Sequence, residues 1–239
     1  MTQTLDYDAL AKQFWRDGYI VIENFFDDAL MEQYDQLILD QFGYSPEFWH
    51  TDEFLETTGV EVVPWFPQRE GCLAFNTVSE DERFKALTQA ILDDGWYEQY
   101  SMVMFSKQGT KGQAWHQDCP PDNSHFFNMN RLVYTMDVTE KGTGGQTLVM
   151  PGSHLKGMLP SLSESFPEQD KVVLSPKKGS IVFLHGHCWH SVLPVTGKYR
   201  VSTNYRCAPQ GTPENITDIG IYRNIRYQFS TESIVEERD

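Results

Sequence analysis

YSMVMFSK (100–107), RLVYTMDVT (131–139), TLVM (147–150), KVVL (171–174), SIVFLH (180–185) and YRVSTNYR (199–206) are short runs of β-branched and aromatic residues set off by Gly, Pro and Asn. Short strands at close spacing, with no helical stretch between them, describe an antiparallel sandwich or barrel. Upstream the periodicity is helical. Leu10, Phe14 and Trp15 recur at helical spacing between Asp6 and Arg16, and Gly18 should stop that helix where the short apolar strand GYIVIENFF begins. Asp27 or Asp28 can cap a second helix, with Leu30, Tyr34, Leu37, Ile38 and Phe42 on one face and Gly43 at its end. A third helix is expected over Asp81 to Asp93. The segment from Gly43 to Thr77 contains Pro46, Pro64 and Pro67 and little periodicity, so it reads as a long irregular excursion of the kind that forms lids or binding walls. A short helix is expected near Asp218 to Ile225. The expected class is mainly β with flanking helices. The 239 residues should form one domain, a helical and irregular part (1–99) packing on a β core (100–207), followed by a C-terminal tail (208–239).

Composition narrows the partners. Nineteen Lys plus Arg against thirty-four Asp plus Glu leave a formal charge of −15, which repels a polyphosphate backbone and an anionic membrane surface alike. The first residues, MTQTLDYDALAKQ, carry neither a basic n-region nor an apolar h-region, and no apolar run reaches the roughly 20 residues of a membrane span. The expected setting is cytoplasmic, with a small-molecule substrate rather than nucleic acid or membrane, and no oligomeric state is implied. Cys72, Cys119, Cys188 and Cys207 form no CxxC pair, so reduced structural thiols are expected rather than a zinc site or a redox dithiol.

The sharpest local feature is WHQDC (115–119), just after the turn glycines Gly109 and Gly112. On a strand, residues i and i+2 face the same side, so His116 and Asp118 can present an imidazole and a carboxylate to one point. Two histidines and one carboxylate on one face of an octahedron leave three positions open, the arrangement diagnostic of non-haem Fe(II) oxygenases. The third ligand has three candidates in FLHGHCWHSV: His185, His187 and His190. Arg200 follows His190 by ten residues, and Ser202 shares its strand face. A guanidinium grips a carboxylate through two parallel bonds, as an acidic cosubstrate would require, and a hydroxyl completes the grip. That pairing selects His190.

DGYIVIENFF (17–26), WHQD (115–118), GGQTLVMPGSHLKG (144–157) and GSIVFLHGHCWHSV (179–192) with its downstream arginine follow one another as they do in the phytanoyl-CoA dioxygenase family of Fe(II)- and 2-oxoglutarate-dependent oxygenases, which the chain resembles over most of its length. The resemblance implies a double-stranded β-helix core, jelly-roll and cupin-like. It implies metal ligands at His116, Asp118 and His190, with Arg200 for the distal carboxylate of 2-oxoglutarate and Ser202 as its hydroxyl partner. Lys107 falls near a position where the family often has a basic residue beside the cosubstrate. His185 and His187 match positions that are not ligands, and His154 looks like a loop element of the fold.

The implied activity consumes Fe(II)-bound 2-oxoglutarate and O2, releases succinate and CO2, and oxidises a C–H bond of a small metabolite, most simply by hydroxylation. Related halogenases have a small residue at the carboxylate position, so Asp118 points to hydroxylation, or to desaturation or ring closure. Two readings of another class share the clustered histidines: a non-oxygenase metal-binding cupin-like protein, and a catalytically inactive binding member of the family. Neither would form succinate.

Overall fold

The structure is a computed structural model that describes residues 4–44, 56, 62–93, 95–161, 166–222, 225–229 and 237–238. The N-terminal helix α1 (Tyr7–Asp17) begins where Asp6 accepts a hydrogen bond from Ala9 N at 3.0 Å, which satisfies one of the amide donors left over at a helix start. It ends at Gly18, whose φ of 83° favours glycine and whose N–H reaches Phe14 O at 2.7 Å. A Cβ at Gly18 would also come within 2.6 Å of His154 Nδ1, so the stop is fixed by packing as well as by backbone. Strand β1 (Tyr19–Ile22) follows, and Asp27 caps α2 (Asp28–Phe42) by accepting from Leu30 N at 2.9 Å. Asp81 caps a later helix, Glu82–Leu92, over nearly the expected span.

Of the expected irregular excursion, residues 45–55 and 57–61 lie outside the described residues. The described part is more regular than expected. It holds β2 (Val63–Trp65), a 3-10 turn at Leu73–Phe75 and the short helix α3 (Asn76–Ser79), which makes Glu82–Leu92 α4. Pro64 lowers the strand signal in the sequence, but β2 is an edge strand, where a missing N–H need not break a ladder.

The remaining strands are β3 (Trp96–Lys107), β4 (Gln113–Gln117), β5 (Met129–Val133), β6 (Thr147–Val149), β7 (Val172–Leu174), β8 (Ile181–His185), β9 (His190–Val192), β10 (Tyr199–Pro209), β11 (Ile219–Tyr222), β12 (Ile225–Phe229) and β13 (Glu237–Arg238). They form two antiparallel sheets, of order β1-β8-β5-β10-β3-β2 and β13-β12-β11-β4-β9-β6-β7. This is the jelly-roll sandwich expected from the sequence.

The C-terminal expectation needs correction. Among the described residues no helix spans Asp218 to Ile225: a 3-10 turn (Ile216–Asp218) gives way to β11, which pairs with β12 and, through Ile221 and Tyr222, with β4. Ile219 and Ile221 alternate at period two, as does the run from Ile225 to Phe229, and that pattern suits strands better than a helix.

Strand alternation divides the first sheet into two working faces. Val103, Phe105, Val133, Phe183, Val201 and Tyr205 point outward into a core shared with Phe14 of α1 and Phe84, Leu87 and Ile91 of α4. Leu132, Val182 and Leu184 point the other way, toward Val149 and Leu174 of the second sheet. Arg131 belongs to the outer face. Its fully buried guanidinium donates to Tyr205 O at 2.7 Å and Thr88 Oγ1 at 3.0 Å and pairs with Glu98, which satisfies a charge that would be costly alone. The helices thus seal one face and leave the space between the sheets for chemistry.

Candidate metal centre

β4 and β9 are adjacent in the second sheet, and their register sets His116 directly opposite His190. Asp118 follows one residue beyond β4 and is fixed by a bond from its own N–H to Gly186 O at 2.9 Å. Among the described residues, His116, Asp118 and His190 are the group of three able to share an ion, with one ligand atom from each lying within 4.8 Å of the others. His116 Nε2 stands 3.7 Å from Asp118 Oδ1, and His190 Nε2 stands 3.6 Å from Asp118 Oδ2.

The tautomers follow from the partners. His116 Nδ1 meets Ala114 O at 2.7 Å and His190 Nδ1 meets Cys188 O at 2.8 Å. A carbonyl can only accept, so both Nδ1 atoms carry the proton and both Nε2 lone pairs face the shared point. Such outer bonds orient metal-binding imidazoles. Ligands about 2.1 Å from one ion at right angles stand about 3 Å apart, so a modest inward movement closes the triad on a dication. The donor set, two neutral nitrogens and one carboxylate, fits Fe(II).

Protonation states agree. Burial, reinforced by His190, pushes the His116 pKa down to about 3, which keeps it neutral. Burial alone would raise Asp118, yet His190, Arg206, His116 and Asn130 together hold its carboxyl at about 2. Asn130 Nδ2 donates to Asp118 Oδ2 at 2.6 Å, and Arg206 Nη2 lies 3.5 Å from Oδ1. The ring of Tyr222 stacks on His116 with centroids 4.6 Å apart and planes 6° from parallel.

The other expected histidines stand apart from the triad. His185 stacks on Phe127 at 3.8 Å and accepts from His187 N, while His154 Nε2 ties its loop to Trp15 O at 3.1 Å.

The triad opens into a cavity of about 110 Å³ between the sheets. Arg200 lines it as well, donating from Nε to Gly145 O at 2.9 Å and from Nη1 to Ser202 Oγ at 3.2 Å, with the Tyr134 ring 6.0 Å from the guanidinium carbon. Burial lowers the Arg200 pKa and Tyr134 counters it. The guanidinium has five N–H donors and these bonds use two, so carboxylate-binding capacity remains.

Lys107 is not brought to the site. It pairs with Tyr199 at the end of β3, two residues on from the outward-facing Phe105 and out of step with Met102 and Met104, which line the cavity. A one-residue offset on a strand reverses the face. The cavity holds Arg206 instead. With Asn204 it continues the inward alternation of Arg200 and Ser202 along β10, a continuation readable in YRVSTNYR but missed in the sequence. Asn130 and Tyr222 were also missed. Asn130 lies one residue before the run read as a strand, RLVYTMDVT, and Tyr222 reaches His116 only through the pairing of β11 with β4.

The family model for phytanoyl-CoA dioxygenase (PhyH) matches residues 14–202. The chain belongs to the phytanoyl-CoA dioxygenase family. Curated proteins give no match. Among solved structures, the non-heme alpha ketoglutarate dependent epimerase SnoN from nogalamycin biosynthesis is similar at 18% identity and TM-score 0.66, over 91% of this chain and 85% of that one. HygX from Streptomyces hygroscopicus, solved with nickel and 2-oxoglutarate bound, is similar at 14% identity and TM-score 0.68, over 89% of this chain and 90% of that one. At these identities the likeness establishes the shared jelly-roll fold.

Proposed function

We propose that the chain is an Fe(II)- and 2-oxoglutarate-dependent dioxygenase that hydroxylates a C–H bond of a small metabolite, releasing succinate and CO2. The observation that carries this reading is the presence, in one cavity, of three converging ligand atoms and a buried arginine with unused donors. Iron, when held there with 2-oxoglutarate and O2, supplies the oxidising power for C–H cleavage.

His116, Asp118 and His190 hold the metal and leave the rest of its coordination sphere free. Arg200 takes the distal carboxylate of 2-oxoglutarate and so orients its keto-acid end toward the triad, with Ser202 steadying the guanidinium. Leu132, Leu184 and Val192 wall this part of the cavity and limit water beside the reacting groups. Asp118, an intact carboxylate ligand, favours oxygen insertion over halide chemistry. Four free thiols, three of them buried, suit a reducing cytoplasm. SnoN and HygX, solved with nogalamycin RO and hygromycin B respectively, take small-molecule ligands, and a small metabolite is proposed here too.

The test is anaerobic addition of Fe(II) and 2-oxoglutarate to the purified protein, followed by the visible charge-transfer band of the chelate. The band should form with wild type, persist in His187→Ala and disappear in His190→Ala. No band in wild type, or an undiminished one in His190→Ala, removes the metal assignment. Succinate release on admitting O2 with a metabolite panel separates an oxygenase from a metal-binding cupin-like protein or an inactive binding member.

A further inference from the structure

Arg206 lies six residues beyond Arg200 on the same face of β10, about 20 Å along the strand at about 3.3 Å per residue, and both line one cavity. Its Nε donates to Asn130 Oδ1 at 2.9 Å, its Nη1 to the Tyr100 hydroxyl at 2.7 Å, and its Nη2 stands 3.5 Å from Asp118 Oδ1. A guanidinium has five N–H donors, so each terminal nitrogen keeps one that these partners do not use.

Charge balance gives those donors a purpose. Among the described residues lining the cavity, the formal charges are Asp118, Arg200 and Arg206, a net of one positive. A divalent metal raises that to three, and the dianion 2-oxoglutarate brings it back to one. Without the metal, Arg206 and Asp118 compensate each other. Once Asp118 is a ligand, its charge goes to the metal and the positive charge of Arg206 is surplus in a place sheltered from water. A buried charge without a counterion is costly, whereas a planar carboxylate matches a guanidinium through paired charge-assisted bonds. The overall charge of −15 does not contradict this, because exposed charges are largely screened beyond about 8 Å at physiological ionic strength.

Resting on the oxygenase reading above, we infer that the substrate is a small monocarboxylate and that Arg206 receives its carboxylate. The Tyr100 hydroxyl and Asn130 hold the guanidinium in place for it, while Val62, Met102 and Gly220 offer an uncharged wall to the carbon skeleton. Because Arg206 Nη2 is only 3.5 Å from the carboxylate of Asp118, an acid held there lies beside the metal ligands. Oxidation then falls on a carbon near the acid group rather than at a remote tail.

The experiment uses full-length protein loaded anaerobically with Fe(II) and saturating 2-oxoglutarate. The probes are the straight-chain monocarboxylates from propionate to octanoate, each paired with its primary amide. The expected result is a saturable shift of the chelate band, with the band retained, for one or more acids and roughly tenfold to a hundredfold weaker for the matching amide. Arg206→Gln should lose the same factor for the acid, and Arg206→Lys should keep part of it as a point charge. Failure of every acid to shift the band, equal response to acid and amide, or wild-type acid affinity in Arg206→Gln overturns the inference. Loss of the band on adding acid overturns it too, since the acid is then displacing 2-oxoglutarate from Arg200. Should Arg206→Gln fail to hold the chelate, the acid and amide comparison and Arg206→Lys still decide. A wild type that forms no band at all overturns the oxygenase reading, and this inference with it.

Discussion

Arg200 is held by its surroundings before any ligand arrives. Gly145 accepts from its Nε through the backbone carbonyl and has a φ of 66°, and a Cβ there would come within 2.6 Å of Arg200 Cδ. Two variants should therefore share one phenotype. Arg200→Ala is expected to weaken 2-oxoglutarate binding by roughly tenfold to a hundredfold, the worth of a lost charge-assisted pair, while leaving Fe(II) affinity close to wild type. Gly145→Ala should act the same way more mildly, although it removes no group that touches the cosubstrate. Titrating the chelate band with 2-oxoglutarate measures both, and unchanged affinity in Arg200→Ala would remove its role. Asn130 stands in the same relation to Asp118, whose Oδ2 it binds at 2.6 Å. Asn130→Ala should cost about tenfold to a hundredfold in metal affinity, as loss of an outer bond to a ligand commonly does. A competitive metal titration giving the wild-type constant would contradict it.

At the scale of elements, β11 contributes what neither histidine strand can. It lays Tyr222 against His116 on the side away from His190, with the register Tyr222 to His116 fixing the stack. Tyr222→Ala should cost about 3–5 kcal/mol of stability, as truncation of a buried aromatic does, and should weaken the metal chelate, whereas Tyr222→Phe keeps the ring and should keep the chelate band. A normal band in the alanine variant would show that the stack does not position His116. The contrast between β4 and β11 also explains what the sequence could reveal. His116 and Asp118 are legible because two residues of separation on a strand is a local rule, and Arg200 and Ser202 obey the same rule. Lys107 came from the resemblance alone, and alternation along β3 turns it to the face opposite Met102 and Met104. Tyr222 is more than a hundred residues from His116 in the chain, and only the sheet order of the tail joins them. The cap at Asp27 was readable for the opposite reason, since a cap is decided within four residues, and Asp6 and Asp81 cap their helices in the same local way.

For the molecule as a whole, the sandwich buries more imidazole than the metal needs. His185 and His187 stand outside the triad, with rings 4.9 Å apart and His185 stacked on Phe127. Burial, with His187 adding to it, drives the His185 pKa well below its ordinary value, and burial brings His187 down to about 4. Both are therefore neutral in the folded protein where the unfolded chain, with histidines near 6.5, already binds protons. As pH falls from about 6.5 toward about 4, the unfolded state takes up protons that the folded state refuses, so stability drops in that direction. Each such histidine contributes a slope of up to about 1.4 kcal/mol per pH unit within the window. Urea midpoints of the metal-free protein should be level between about pH 7 and pH 8 and fall below about 6.5. His185→Phe, which keeps an aromatic ring on Phe127, should flatten the fall by about one histidine's share even if it lowers the plateau, because the variant has one fewer proton to bind on unfolding. Parallel profiles for wild type and variant, offset but equal in slope, would mean that His185 is already protonated in the fold and that its burial is compensated in some other way.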